Sequence, residues 1–183
     1  MVDVEERIHC SFVMGKSRLA PLKSVTIPRL ELLAAVVAAK LDKTIKKEID
    51  IPIKDSFFWT DSTCVLSYIL NEEKRFNTFV ANHVSAIHNV SSPSQWNHVD
   101  TKSNPADDAS RGLEIEDLLK NKLWLEGPEF LGKTKDYWPK LKQAEVLEVK
   151  EGDPEVKKCK SFAVTTEPNV NRSLDEMFTR FSS

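Results

Sequence analysis

The sequence predicts an α/β fold with a parallel sheet and flanking helices, ending in an irregular tail. Three observations predict it. Short aromatic or apolar runs at 56–60 and 95–99 alternate with stretches of three- and four-residue apolar spacing, giving a strand, helix, strand, helix order. The run at 56–60 is apolar at consecutive positions, as a strand buried on both faces is, so parallel pairing is expected. Beyond Leu131 the periodicity fades, and residues 133–142 and 145–160 are dense in charge.

Taken in order, residues 8–14 alternate loosely between apolar and polar and are rich in β-formers, which predicts a strand ending near Gly15. A basic connector covers 16–23. From Pro28 the apolar residues Leu30, Leu33, Ala34, Val37, Ala38 and Leu41 mark an amphipathic helix over 28–46, opened by proline in its first turn. Residues 56–60 form the next strand and 62–71 the next helix, with Asp61 at the switch. Phe76, Phe79, Val80, Val84 and Ile87 give one apolar face to a helix over 75–89. Ser91-Ser92-Pro93-Ser94 breaks the chain before a strand at 95–99, and 100–104 turns into a short helix carrying Asp107. Residues from Lys133 onward are expected to form at most short helices and to add little to the core.

A chain of 183 residues, 40% hydrophobic and 30% charged, fits one domain of ordinary core size, placed at 1–131, with a connector or tail at 132–183. The net charge of −2 argues against gripping nucleic acid by overall positive charge, so any such binding must come from a local patch. Cys10, Cys64 and Cys159 match neither a metal spacing nor a disulfide framework. With no long apolar run and no secretory pattern, an intracellular setting, cytoplasm or nucleus, is expected, without membrane association.

Three acids stand at the edges of these elements. Glu31 lies in Ile27-Pro28-Arg29-Leu30-Glu31-Leu32-Leu33, Asp61 in Phe57-Phe58-Trp59-Thr60-Asp61-Ser62, and Asp107 in Asn104-Pro105-Ala106-Asp107-Asp108. Acids on a helix, a strand end and a helix start are what a site holding two magnesium ions on a phosphodiester needs, because Mg2+ takes hard oxygen ligands. Each acid also has a plainer reading: a first-turn helix acid for Glu31 and Asp107, and a helix cap for Asp61.

In this order and wording, these segments resemble the ribonuclease H domain of BEL/Pao-type retrotransposon polyproteins. Lys16-Ser17-Arg18-Leu19-Ala20-Pro21-Leu22-Lys23, Phe79-Val80-Ala81-Asn82, Trp96-Asn97-His98-Val99 and Leu123-Trp124-Leu125-Glu126-Gly127-Pro128 extend the likeness over 8–131. The resemblance implies a ribonuclease H-like mixed sheet with flanking helices. It implies cleavage of the RNA strand of RNA/DNA hybrids with two Mg2+ ions, and Glu31, Asp61 and Asp107 as catalytic metal ligands, Asp108 being a neighbour outside the metal shell. The reverse transcriptase and integrase regions of the same polyprotein are the implied partners. The ending Leu174-Asp175-Glu176-Met177-Phe178-Thr179-Arg180-Phe181-Ser182-Ser183 looks like the connector toward the integrase.

The family's fourth acid sits on its first strand. Fifteen residues precede Lys16, enough for one strand and a turn, so the first and most of the second strand are expected to be missing and the domain to be N-terminally truncated. Asp3 lies in a turn-like acidic stretch. The alternative reading is a catalytically inactive remnant acting as a nucleic-acid-binding or protein-interaction module. Lys16, Arg18, Lys23 and Arg29 are candidates for phosphate contact or, equally, a solvated connector. His98 reads as a half-buried strand residue, and His83 and His88, five apart on a helix, as surface residues rather than a metal pair.

Overall fold

Helix α1 (Ile27–Glu48) starts where Thr26 is extended and Pro28 occupies the first turn, and it ends where Lys46 and Lys47 complement the negative end of the helix dipole. It belongs to a computed structural model of the chain that describes residues 8–140 and 148–158. The helix is apolar around much of its circumference, so periodicity alone does not choose the buried face. Leu32, Ala35, Val36 and Ala39 are buried, whereas Ala34 and Ala38 of the expected stripe are exposed. Packing against the elements that follow made that choice.

Strand β1 (Phe58–Thr60) leads into α2 (Thr63–Leu70) and then α3 (Thr78–His88), and the chain returns through β2 (Trp96–His98), which pairs with β1 in parallel. The register sets Phe58 against Trp96 and Thr60 against His98. The rings of Phe58 and Trp96 stack with centroids 4.6 Å apart, and the Trp96 indole donates to Ser91 Oγ. This is the expected strand and helix order with parallel pairing; β1, α2, α3 and β2 are shorter than their expected spans, and α1 is longer.

Val65, Leu66, Ser67, Tyr68 and Ile69 are buried at five successive positions of α2, so this helix is enclosed on all sides. Leu32 of α1, Val80 and Ile87 of α3 and Phe58 and Trp96 of the strands complete the core around it. Short helices α4 (Ala106–Arg111), α5 (Ile115–Lys120) and α6 (Lys122–Glu126) follow β2.

Two expectations are corrected. Residues 9–20 carry no regular secondary structure, so the strand expected at 8–14 does not form. Ile8 alone takes a bridge position, and further on the Phe12 amide donates to the Leu125 carbonyl while the Phe12 ring lies 5.2 Å from that of Trp124. Among the described residues no strand lies alongside 9–20 to give it a ladder to join.

The second correction concerns the residues after 133. Phe57 and Trp59 point to the side of β1 opposite Phe58, and Trp138 packs against both rings, at 5.0 and 5.5 Å, while Phe130 meets Trp59 at 4.8 Å. Further on, residues 148–158 act as a strap. Val149 is 4% exposed and belongs to the core, Val156 packs against it, and Phe76 and Val156 form an antiparallel bridge. Arg29 donates to both oxygens of the buried Glu155 carboxylate, at 2.6 and 3.0 Å, and Tyr68 donates to Asp153. These anchors are single residues separated by charge, which is why no periodicity announced them. Asp3, Cys159 and the 174–183 ending lie outside the described residues.

Replacing Val149 by Asp puts an unpaired carboxylate among apolar side chains and is expected to lower the melting temperature by roughly 5–10 °C. A fall below about 2 °C in a thermal melt monitored by circular dichroism would remove the strap from the core.

Burial pushes the Tyr68 hydroxyl well above its usual pKa, with hydrogen bonds to Cys64 and Asp153 adding to the shift, and burial also raises the Cys64 thiol. Both groups keep their protons in the folded chain at pH values where the unfolded chain releases them. Their contribution is therefore complete below about pH 8.5 and lost as pH rises through the ordinary thiol and phenol ranges. Urea unfolding followed from pH 8 to 10.5 should show stability falling. In Tyr68→Phe, which starts less stable, the fall above about pH 10 should be shallower; an equal slope would count against the Tyr68 assignment.

Candidate functional site

The carboxyl end of β1 runs directly into α2 through Thr60, Asp61 and Ser62. Ser62, not Asp61, caps the helix: its Oγ accepts from the Val65 amide at 3.2 Å, and its own amide donates to Thr60 Oγ1. The same hydroxyl donates to Glu31 Oε2 at 2.7 Å. One buried serine thus ties the α2 start to α1 across 31 residues of sequence. Glu31 stands in the second turn of α1, and the first turn contains no acid, so the dipole of its own helix does not explain it. The positive end of α2 lies on its other side, where a carboxylate is favoured.

Asp61 is half-buried beside this corner and holds no hydrogen bond or ion pair among the described residues. With the cap supplied by Ser62, the plain explanation for Asp61 is gone.

Asp107 belongs to the first turn of α4, and its carboxylate pairs with Arg111 one turn on, at 2.8 Å. Asp108 accepts from Asn121, which also caps α6 through the Trp124 amide. Asp61 and Asp107 both follow the carboxyl ends of parallel strands, where ligands of such sheets gather. Among the described residues no three His, Cys, Asp or Glu side chains are grouped so as to hold a metal ion.

The other candidates sort as follows. Lys16, Arg18 and Lys23 are exposed on the connector, but Arg29 is committed to Glu155 and lies over the Phe79 ring, 4.8 Å from its centroid. Its guanidinium is raised further above its ordinary pKa by the hydrogen bond with Glu155. His98 is half-buried on β2. His83 is half-buried, bonds the Phe79 carbonyl and stacks on the Phe79 ring, and exposed His88 bonds the Ile69 carbonyl. The sequence reading missed Ser62, legible as a small polar residue directly before a helix, and Glu155, which 126 residues of separation conceal.

Residues 1–62 match the family model described as the Pao retrotransposon-like RNaseH-like domain. The matched span holds Glu31, Asp61 and Ser62 and stops short of Asp107. It supports an RNase H-like domain of a Pao-type element, and the helices around a small parallel sheet are compatible with an α/β fold of that kind. No curated protein and no solved structure matches the chain. No helix among the described residues is long and apolar enough to cross a membrane.

The corner yields a contrast between adjacent residues. Ser62→Ala removes the cap of α2 and the partner of Glu31 together and should cost about 1–2 kcal/mol in urea unfolding. Asp61→Asn, which breaks no such bond, should stay within about 0.5 kcal/mol. Equal losses at the two positions would contradict this account of the corner.

Proposed function

We propose that the chain is a fragment of the ribonuclease H domain of a retrotransposon polyprotein of the BEL/Pao type. The nucleic acid it meets is an RNA/DNA hybrid, and its covalent partners are the reverse transcriptase and integrase regions of that polyprotein. Glu31, Asp61 and Asp107 are assigned as remaining acids of the ancestral Mg2+ site. The fourth acid of the intact domain belongs to a strand that the described residues do not form.

The observation that carries this reading is the Ser62 bridge. It holds Glu31 against the Asp61 corner, joining two segments that both lie in the matched span. A second reading, binding without cleavage, is favoured by another observation: Asp107 is paired with Arg111, and among the described residues no three acids are grouped so as to hold a metal ion. For this chain by itself we take the second reading, with cleavage as the property of the intact domain.

The experiment is a hybrid-cleavage assay in Mg2+. The unmodified chain should give no more than trace cleavage. Joining an upstream Asp-bearing strand and hairpin to it should raise the rate at least about a hundredfold, as expected for restoring a lost ligand. Robust Mg2+-dependent cleavage by the unmodified chain, abolished by Asp61→Asn, would overturn the inactive reading; no gain on grafting would overturn the descent of the site.

A further inference from the structure

The strap that closes the core also places like charges side by side. Around the Phe76–Val156 bridge, the Lys157 amide donates to the Arg75 carbonyl at 2.7 Å and the Asn77 amide to the Glu155 carbonyl, so Arg75 faces Lys157 across the two chains. Cα atoms of facing residues in such a pair stand about 4.5–5.5 Å apart. Lys74 and Lys158 are the next residues outward. The Lys74 ammonium donates to the Val149 carbonyl, so the backbone leading into Lys150 meets the same loop, while the Lys150 charge also acts on Cys64 of α2.

Like charges set directly opposite each other destabilise a strand pair. Nothing among the described residues relieves this one. Arg75, Lys150, Lys157 and Lys158 are exposed and have no ion-pair partner there. The two strap acids best placed to neutralise them are engaged inward, Asp153 by Tyr68 and Glu155 by Arg29. Glu72, Glu73 and Glu151 are exposed on the flanking turns and form no ion pair with the four cations. In a chain whose net charge is −2, binding to a polyanion requires a local set of cations, and these four are unpaired among the described residues, with exposed Glu72, Glu73, Glu148 and Glu151 at their border.

We infer that Arg75, Lys150, Lys157 and Lys158 form a contact surface for the phosphate backbone of a nucleic acid, held in place by the 148–158 strap. The inference rests on the hybrid-binding reading above and adds a surface outside the matched span of 1–62. An anionic membrane is the less suitable partner, because a membrane-surface site couples its cations to apolar side chains entering the lipid. Here the apolar residues between the cations, Phe76 and Val156, are turned into the core.

The test is the affinity of the full chain for a fluorescent RNA/DNA hybrid, measured by anisotropy across a salt series, with anionic vesicles as a second probe. Arg75→Glu should weaken hybrid binding at least about tenfold and make its salt dependence shallower. The same substitution turns the like-charge pair into an opposite-charge pair, so its melting temperature should stay level or rise, which separates lost binding from lost folding. Lys157→Gln with Lys158→Gln should weaken binding in the same direction. Unchanged affinity in these variants, or loss only on replacing Lys16, Arg18 and Lys23 by Gln, would overturn the assigned surface and leave the hybrid-binding reading standing. No binding of the hybrid by the full chain at low salt would overturn both. Vesicle binding that exceeds hybrid binding and is lost in Arg75→Glu would overturn the nucleic-acid assignment.

Discussion

The structure depends on the enclosure of α2. A helix with five successive buried residues cannot be stable by its own face against solvent; it needs a partner on every side. α1 and α3 supply two of these partners, the parallel strands a third, and the strap a fourth through Val149, Asp153 and Val156. The constraint explains why the short β1–β2 pair persists. A two-stranded sheet alone is marginal in water, but here Phe58 and Trp96 stack with their rings against a helix that cannot be left uncovered.

Enclosing α2 also fixes its first residue, and the chemistry of the candidate site follows from that. Ser62 is buried because α2 is, so its hydroxyl must satisfy both donor and acceptor roles inside the protein. It accepts from Val65 and donates to Glu31. Glu31 is therefore oriented by a capping residue of another helix, and Asp61 is left beside it without a structural duty. Asp107 stands on a six-residue helix that is outside the core, and its charge is answered locally by Arg111. Two of the three acids are thus gathered by the core, and the third is placed by a peripheral element.

The strap shows how charged sequence can serve a core. Its buried Glu155 is acceptable because the guanidinium of Arg29 meets both carboxylate oxygens, and that guanidinium is in turn covered by Phe79. The same contact commits the partly exposed Arg29 guanidinium to Glu155. Lys16, Arg18 and Lys23 stay exposed on the connector, and Arg75 and Lys157 are a second exposed pair where the strap crosses the loop before α3.

What the sequence determined by itself was local. Apolar spacing placed α1, α2 and α3, short aromatic runs placed β1 and β2, and their alternation implied a parallel pair, because those signals act within a few residues of the chain. The acids were also visible as words in the sequence, two of them inside the matched span. Only the tertiary structure decided which face of α1 is buried, since Leu30 and Leu32 are equally apolar and the difference lies in what they meet. It alone joined Ser62 to Glu31 and Glu155 to Arg29, and it alone brought Val149 into the core. Those choices depend on distances between segments far apart in the chain, and neither hydrophobic period nor charge spacing carries that information.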